Sequence, residues 1–94
     1  MDKSEAAKIL QDHISKYRAK SYAELKNLIG DVQVHGVVGQ SGAEYTLEFD
    51  VMWDSDPDGD IRVIGGIDDG TFPSAFSPLS DDFILGPDGK FVGE

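Results

Sequence analysis

The sequence predicts an α+β fold, with helices covering one face of a four- or five-stranded antiparallel sheet. Two observations indicate this. The apolar residues repeat every three or four positions near the N-terminus and every second position from residue 31 onward. Helices that precede the strands, instead of alternating with them, favour antiparallel pairing over parallel βαβ units. Ninety-four residues suffice for one modest core, so residues 1–94 are expected to form a single domain.

The first helix is predicted over residues 3–19. Its apolar stripe has three- and four-residue steps and consists of Ala6, Leu10, Ile14 and Tyr17. Asp2 is suited to cap the first turn, and Glu5 would complete a capping box. The length and periodicity of this helix make it the expected cover for the sheet.

A short second helix is predicted to begin after Ser21. Ser21 and Glu24 have the spacing of a capping box, and Leu25, Leu28 and Ile29 follow on one side. Gly30 suits the left-handed conformation that often ends a helix. Two turns are marginal alone, so packing must hold this helix in place.

Strands are predicted over residues 31–38, 43–53 and 61–67. Val32, Val34 and Val38 mark the first strand, and the second alternates apolar and polar side chains from Glu44 to Trp53. Matching the apolar faces of the second and third strands predicts the pairs Trp53–Ile61, Val51–Val63, Phe49–Gly65 and Leu47–Ile67. In this register Phe49 would cover Gly65, and Arg62 would lie diagonal to Asp50 on the wet face.

The chain is predicted to close with a hairpin. Residues 83–85 form one arm, Pro87 and Gly89 suit a type I turn, and residues 90–92 form the other arm. The preceding segment, residues 71–79, contains two prolines and reads as an ordered loop. Its apolar residues either plug the core, the favoured interpretation, or anchor a partner. The candidate anchors are Phe72, Phe76 and Leu79.

Charge is distributed unevenly along the chain. The net charge is −10, and residues 44–94 hold thirteen acidic residues against Arg62 and Lys90, a net charge of −11. Such a surface repels nucleic-acid phosphates and anionic membranes, so neither is expected as a partner. It attracts cations and basic proteins, although an acidic surface also serves solubility alone. The chain lacks cysteine, a signal-peptide pattern and a long apolar run, and we expect a cytoplasmic protein.

The sharpest candidate site is the aspartate-rich stretch over residues 54–60. Asp54, Asp56, Asp58 and Asp60 occupy positions 1, 3, 5 and 7 of a D-x-D-x-D-G calcium-loop pattern. The pattern is incomplete, because Gly65 stands where a bidentate glutamate belongs and the flanks are strands. A turn rich in Asp, Pro and Gly is the favoured interpretation, and calcium binding is the alternative. No other cofactor is expected.

Catalytic motifs are missing from the sequence. No G-x-S-x-G elbow or phosphate loop is present, and the paired aspartates at residues 68–69 and 81–82 are typical of solvated turns. His13 and His35 would need each other and added carboxylates to bind zinc, so both are interpreted as structural. We therefore expect that the protein is not an enzyme.

The C-terminus carries D-D-F-I at residues 81–84, P-D-G at 87–89 and F-V-G-E at 91–94. In this pattern it resembles a group of small uncharacterised bacterial proteins with no assigned activity. Similar residues occur near Tyr17, at Ser21-Tyr22 and Leu25, at 60–63 and at 66–70. The resemblance implies a bacterial source and a helix-plus-antiparallel-sheet fold. It supplies no functional residues.

These observations predict a non-catalytic interaction module that binds a basic protein, such as an immunity-type or regulatory subunit. The acidic sheet face or the loop over residues 71–79 would make the contact. The sheet edges offer a second route, because the first or last strand could pair with a copy of itself. Monomer and edge-paired homodimer both remain open.

Overall fold

The computed structural model describes residues 2–70 and 79–94. They form helix α1 (Lys3–Arg18), helix α2 (Tyr22–Lys26) and one four-stranded antiparallel sheet. The strands, in spatial as well as sequence order, are β1 (Gln33–Val38), β2 (Glu44–Trp53), β3 (Ile61–Asp68) and β4 (Leu79–Leu85). The predicted α+β fold is confirmed. No helix in this part of the chain has the length and apolar character needed to cross a bilayer.

Helix α1 lies against one face of the sheet, with its closest approach to β3 and β4. All four residues of the predicted stripe are buried. The Asp2 side chain caps the helix by accepting a hydrogen bond from the Glu5 backbone N–H at 3.0 Å. The second half of the predicted capping box is wrong, because the Glu5 carboxylate bonds to Ser41 and Tyr45 instead.

Helix α2 has the capping box that its sequence predicts, formed by Ser21 and Glu24. Leu25 is fully buried and joins the main core. The Tyr22 hydroxyl donates to the Gly59 carbonyl at 2.7 Å, which ties this short helix to the β2–β3 turn. Packing and this tie hold a helix too short to be stable alone.

Strands β2 and β3 pair in the predicted register, with Phe49 opposite Gly65 and Trp53 opposite Ile61. A Cβ atom added at Gly65 would overlap the Phe49 ring, so the glycine is needed for this close approach. On its other side Phe49 stacks against Tyr17 of α1, with ring centroids 4.4 Å apart. Phe49 therefore joins the helix to the centre of the sheet.

Paired residues have the same parity throughout the sheet. Odd-numbered side chains face α1, and even-numbered ones face away from it. The sheet's contribution to the buried core consists accordingly of Tyr45, Leu47, Phe49, Val51, Ile61, Val63, Ile67, Phe83 and Leu85. Trp53, at the end of the same row, is half-buried.

Strand β1 is shorter than predicted and begins at Gln33. Its valines Val34 and Val38 point away from α1 and are 59% and 66% exposed. The side that faces the helix carries Gln33, His35 and Val37, all half-buried. The valine pattern therefore identifies a strand without identifying its buried side.

The C-terminal hairpin differs from the prediction in both arms. Strand β4 begins at Leu79, and the second arm is a single bridge between Leu85 and Phe91. The Val92 N–H also donates to the Ile84 carbonyl at 2.8 Å. This short tail, residues 91–94, is held by Arg18 rather than by a fifth strand. The Arg18 guanidinium forms two 2.9 Å hydrogen bonds to the Glu94 carboxylate.

Candidate interaction surface

The open face is the sheet surface opposite α1, formed by the even-numbered side chains of the four strands. Its carboxylates are Glu44, Glu48, Asp50, Asp68 and Asp82. Its larger apolar side chains are Val34, Val38, Met52, Ile64 and Ile84. Among the described residues Arg62 is the one basic side chain of this face. The open face is therefore both acidic and apolar.

Acidic and apolar residues alternate across the strands of the open face. Ile64 lies directly between Asp50 on β2 and Asp82 on β4. Neighbouring strands are about 4.8 Å apart, so both carboxylates are close to the apolar surface of Ile64. A lysine or arginine could lay its aliphatic stem over Ile64 and place its charged end at the Asp50 carboxylate.

Arg62 is neutralised by residues of its own sheet. Its Nε donates to Asp54 at 2.8 Å, and its Nη1 donates to Asp82 at 2.5 Å. These contacts, led by the hydrogen bond to Asp54, raise the pKa of Arg62 above its ordinary value. The predicted diagonal neighbour Asp50 is not its hydrogen-bond partner. Arg62 is thus occupied, whereas the side chains of Asp50 and Glu48 make no hydrogen bond within the described residues.

The aspartate-rich stretch over residues 54–60 forms the hairpin turn between β2 and β3. The Asp54 N–H donates to the Asp60 carbonyl at 2.8 Å, and the Gly59 N–H donates to the Asp56 carbonyl at 3.1 Å. Asp58 adopts a left-handed conformation with φ of 65°, which aspartate tolerates better than most residues. The Asp and Gly residues of this stretch therefore suit the backbone conformation of the turn.

Two of the four candidate calcium ligands are engaged by basic side chains. Asp54 binds Arg62, and Asp58 accepts a 2.5 Å hydrogen bond from Lys26, which raises the pKa of Lys26. The Asp60 carbonyl, the proposed backbone ligand, already accepts the hydrogen bond that closes the turn. Within residues 2–70 and 79–94, no group of three or more Asp, Glu or His side chains is arranged to hold a metal ion. Calcium binding stays the untested alternative interpretation of this turn.

Of the three candidate anchors in the segment over residues 71–79, one, Leu79, lies in the part of the chain that the structure describes. Phe72 and Phe76 lie outside the described residues. Leu79 is the first residue of β4, pairs with Ile67, and packs half-buried against the core. Its contact with the core agrees with the interpretation that this residue supports the fold.

The two histidines lie together, which their positions in the sequence did not predict. The ring centroids of His13 and His35 are 5.9 Å apart. His13 Nδ1 lies 3.0 Å from the Ile9 carbonyl, and His35 Nε2 lies 3.0 Å from the Tyr17 hydroxyl. A carbonyl only accepts hydrogen bonds, so His13 carries its proton on Nδ1. The first contact lies within α1, and the hydrogen bond between Tyr17 and His35 joins α1 to β1.

Glu5 is the centre of a polar cluster that sequence reasoning missed. Its carboxylate accepts hydrogen bonds from the Ser41 hydroxyl at 2.7 Å, the Ser41 N–H at 3.0 Å and the Tyr45 hydroxyl at 2.8 Å. These bonds, chiefly that from the Ser41 hydroxyl, lower the pKa of Glu5. The hydrogen bond to Glu5 and burial together raise the pKa of Tyr45 to about 12. The cluster joins α1 to the β1–β2 turn. Its carboxylate and both hydroxyl groups are hydrogen-bonded within the cluster.

Two shallow grooves lie between α1 and β1. One, of about 410 Å³, runs past Lys8, Ile9 and Val37, and the other, of about 300 Å³, runs past Lys16, Tyr17 and His35. Both are open and mainly apolar. Because these grooves separate α1 from β1, the helix covers β1 only in part.

Comparison with family models, curated proteins and solved structures finds no match to this chain. Function is therefore inferred from the chemistry of the surfaces described above.

Proposed function

We propose that the protein is a non-catalytic interaction module whose open face binds a basic segment of a protein partner. The observation that carries the proposal is the alternation of Ile64 with Asp50 and Asp82 across the middle of the sheet. The concrete version is a bacterial, cytoplasmic subunit of the immunity or regulatory type, which occupies a basic surface on its target.

Charge supports a basic partner in preference to an acidic one or a nucleic acid. The half of the sequence that contains β2, β3 and β4 has a net charge of −11. Arg62, the one described base of the open face, already binds two aspartates. An approaching cation therefore meets Glu48 and Asp50, which have no hydrogen-bonding partner among the described residues. Acidic fields of this kind accelerate association with basic proteins.

Burial supports a contact surface rather than a purely solvated one. Ile64, Met52 and Ile84 are half-buried although α1 is on the other side of the sheet. Val34 is 59% exposed beside them. Protein interfaces combine an apolar centre with charged groups around it, and this face has both components. A face serving solubility alone would gain nothing from four large apolar side chains.

A lysine-rich decapeptide is a direct probe of the proposal, with a glutamate-rich decapeptide as its opposite. We expect the lysine peptide to shift the backbone amide resonances of Glu48, Asp50 and Ile64, and to lose affinity as salt rises. The glutamate peptide should shift none of them. Shifts confined to α1, or no shifts at low salt, would contradict the proposal.

Matched charge variants distinguish binding at the open face from general attraction to the negative net charge of the protein. The double variant Glu48→Gln, Asp50→Asn removes two charges from the face, and Asp12→Asn, Asp31→Asn removes two exposed charges elsewhere. An exposed ion pair contributes about 0.2–1 kcal/mol, so the loss of two should weaken binding of the lysine peptide roughly twofold to thirtyfold. The second should bind nearly as well as the parent protein. Equal loss in both variants would show attraction to net charge alone.

A further inference from the structure

The outer edge of β1 is an uncharged strand in an acidic protein. Residues 32–43 contain no Asp, Glu, Lys or Arg, and the chain around them has a net charge of −10. Edge strands are usually protected from pairing with other chains by charged side chains, prolines or bulges. Residues Gln33–Val38, with sequence QVHGVV, contain no proline and pair continuously with β2. None of these protective devices is present on this strand.

The backbone groups of Val34, Gly36 and Val38 point outward from the sheet. At the β1–β2 turn the Gly39 N–H donates to the Ala43 carbonyl at 2.8 Å. In an antiparallel pair, residues that exchange hydrogen bonds with the partner alternate along the strand. Counting back from Gly39, the odd-numbered residues of β1 bond to β2. The even-numbered residues therefore present their N–H and C=O groups to the free edge.

The opposite edge of the sheet is protected by contrast. On β4 the Ile84 carbonyl points outward and accepts a hydrogen bond from the Val92 N–H at 2.8 Å. The Asp82 N–H, which by the same alternation also points outward, donates to the Asp81 side chain at 2.9 Å. Two aspartates and the C-terminal tail thus cover part of the β4 edge. The β4 edge is therefore partly covered, whereas the β1 edge has no such contacts within the described residues.

We propose that two copies of this chain pair through β1 to form an antiparallel homodimer with a continuous eight-stranded sheet. The twofold axis passes through Gly36, so that Gly36 faces its own copy and Val34 faces Val38 of the second chain. This register brings the outward N–H and C=O groups of residues 34, 36 and 38 opposite each other, as an antiparallel ladder requires. It also places two exposed β-branched side chains in contact across the dimer.

Charge explains why a second copy is a suitable occupant. In this register no charged residue of β1 faces another across the new pairing. The nearest acidic columns, on β2 of the two chains, are separated by three strand spacings, about 14 Å. That distance exceeds the screening length of about 8 Å at physiological salt, so repulsion between them is weak. The dimer would also place two acidic open faces side by side on one sheet.

Sedimentation of the whole protein over about 10 µM to 1 mM tests the proposal. One short strand buries a small interface, so we expect reversible association from 10.2 kDa toward twice that mass as concentration rises. In a mixture of ¹³C-labelled and unlabelled protein, an isotope-filtered NOE should join Val34 methyls to Val38 methyls. Within one strand these residues are about 13 Å apart, too far for that signal. A mass of 10.2 kDa at every concentration would overturn the proposal.

Proline substitution distinguishes the two edges. Gly36→Pro removes an outward N–H, and a Cβ atom at Gly36 meets no atom within 4 Å, so the β1–β2 ladder should survive. Ser80→Pro is the matched control, because Ser80 has the same outward orientation on β4. We expect Gly36→Pro to be monomeric and Ser80→Pro to dimerise normally. Dimerisation that survives Gly36→Pro, or is lost only in Ser80→Pro, would contradict pairing through β1.

Discussion

The Glu5 carboxylate accepts a hydrogen bond from the Tyr45 hydroxyl at 2.8 Å, which joins the first turn of α1 to the start of β2 across forty residues. Ser41 donates to the same carboxylate through its hydroxyl and its backbone N–H. Three donors converge on one side chain, and each of them stabilises its ionised form. The first turn of the covering helix is therefore fixed to the sheet by a charge, and the fold should depend on the state of that charge.

Low pH should reduce the free energy of unfolding, partly because Glu5 becomes protonated. Its pKa in the folded protein is below the ordinary value of 4.5, so the Glu5 interactions stabilise the fold fully above about pH 4.5. They are lost as the pH falls through the lowered pKa. We expect Glu5→Gln to be less stable than the parent at pH 6, with a smaller difference at pH 2–3. Urea unfolding at both pH values measures this.

Glu48→Gln is the control for that experiment. The Glu48 carboxylate makes no hydrogen bond within the described residues. The free energy of unfolding of this variant should therefore change between the two pH values by nearly as much as that of the parent protein. If Glu5→Gln and Glu48→Gln gave the same pH dependence, Glu5 would not be the source of the effect.

Alkali should act on the same cluster through Tyr45. The pKa of Tyr45 is raised from 10 to about 12, so its contribution is present below about pH 10 and is lost as the pH rises toward 12. Between about pH 10 and pH 12, we expect the free energy of unfolding of Tyr45→Phe to fall less than that of the parent protein. Urea unfolding measures this. Tyr22→Phe is the matched control, because the Tyr22 hydroxyl donates to the Gly59 carbonyl and not to a carboxylate.

Gly65→Ala should destabilise the protein by about 1–3 kcal/mol, because the new methyl group would overlap the Phe49 ring in a packed core. Gly36→Ala is the control within the same sheet. A methyl group there meets no atom within 4 Å, so its effect should be within about 0.5 kcal/mol. Urea unfolding measures both. Equal changes in the two variants would show that β-strand propensity, and not contact with Phe49, sets the cost.

Arg18→Ala should release the C-terminal tail. Arg18 forms two hydrogen bonds to Glu94, and its guanidinium carbon lies 5.0 Å from the ring centroids of both Phe83 and Phe91. Without it, we expect faster hydrogen exchange at the Val92 N–H, which bonds to Ile84. The N–H of Val63 in the sheet centre should exchange as before. Unchanged exchange at Val92 would show that the Leu85–Phe91 bridge holds the tail without Arg18.

Calcium titration tests the alternative function of the aspartate-rich turn. Arg62 and Lys26 already neutralise Asp54 and Asp58, and the Asp60 carbonyl closes the turn, so we expect no saturable heat at millimolar calcium. Asp56→Asn is the control, because Asp56 takes no part in those ion pairs. A saturable heat that disappeared in Asp56→Asn would establish the calcium site and refute this expectation.

Only part of the open face could be predicted from the sequence pattern. Alternation from Glu44 to Trp53 correctly assigns one side of β2 to the core and the other to water. It does not indicate that Asp50 and Asp82 flank Ile64, because that requires the pairing of β3 with β4. The contacts of Arg62 show the same limit. Both Asp50 and Asp54 are diagonal to it, and only the three-dimensional arrangement selects Asp54 and Asp82.

The helices, the alternation of β2 and β3 and the register of these two strands could be predicted from the sequence, because they depend on periodicity and on neighbours close along the chain. Phe49 over Gly65 could be read in this way. Tertiary structure alone decided which side of β1 faces the helix, the meeting of His13 with His35, and the partner of Glu5. Each of these depends on contacts between residues 18 to 40 positions apart, and no local pattern encodes such contacts.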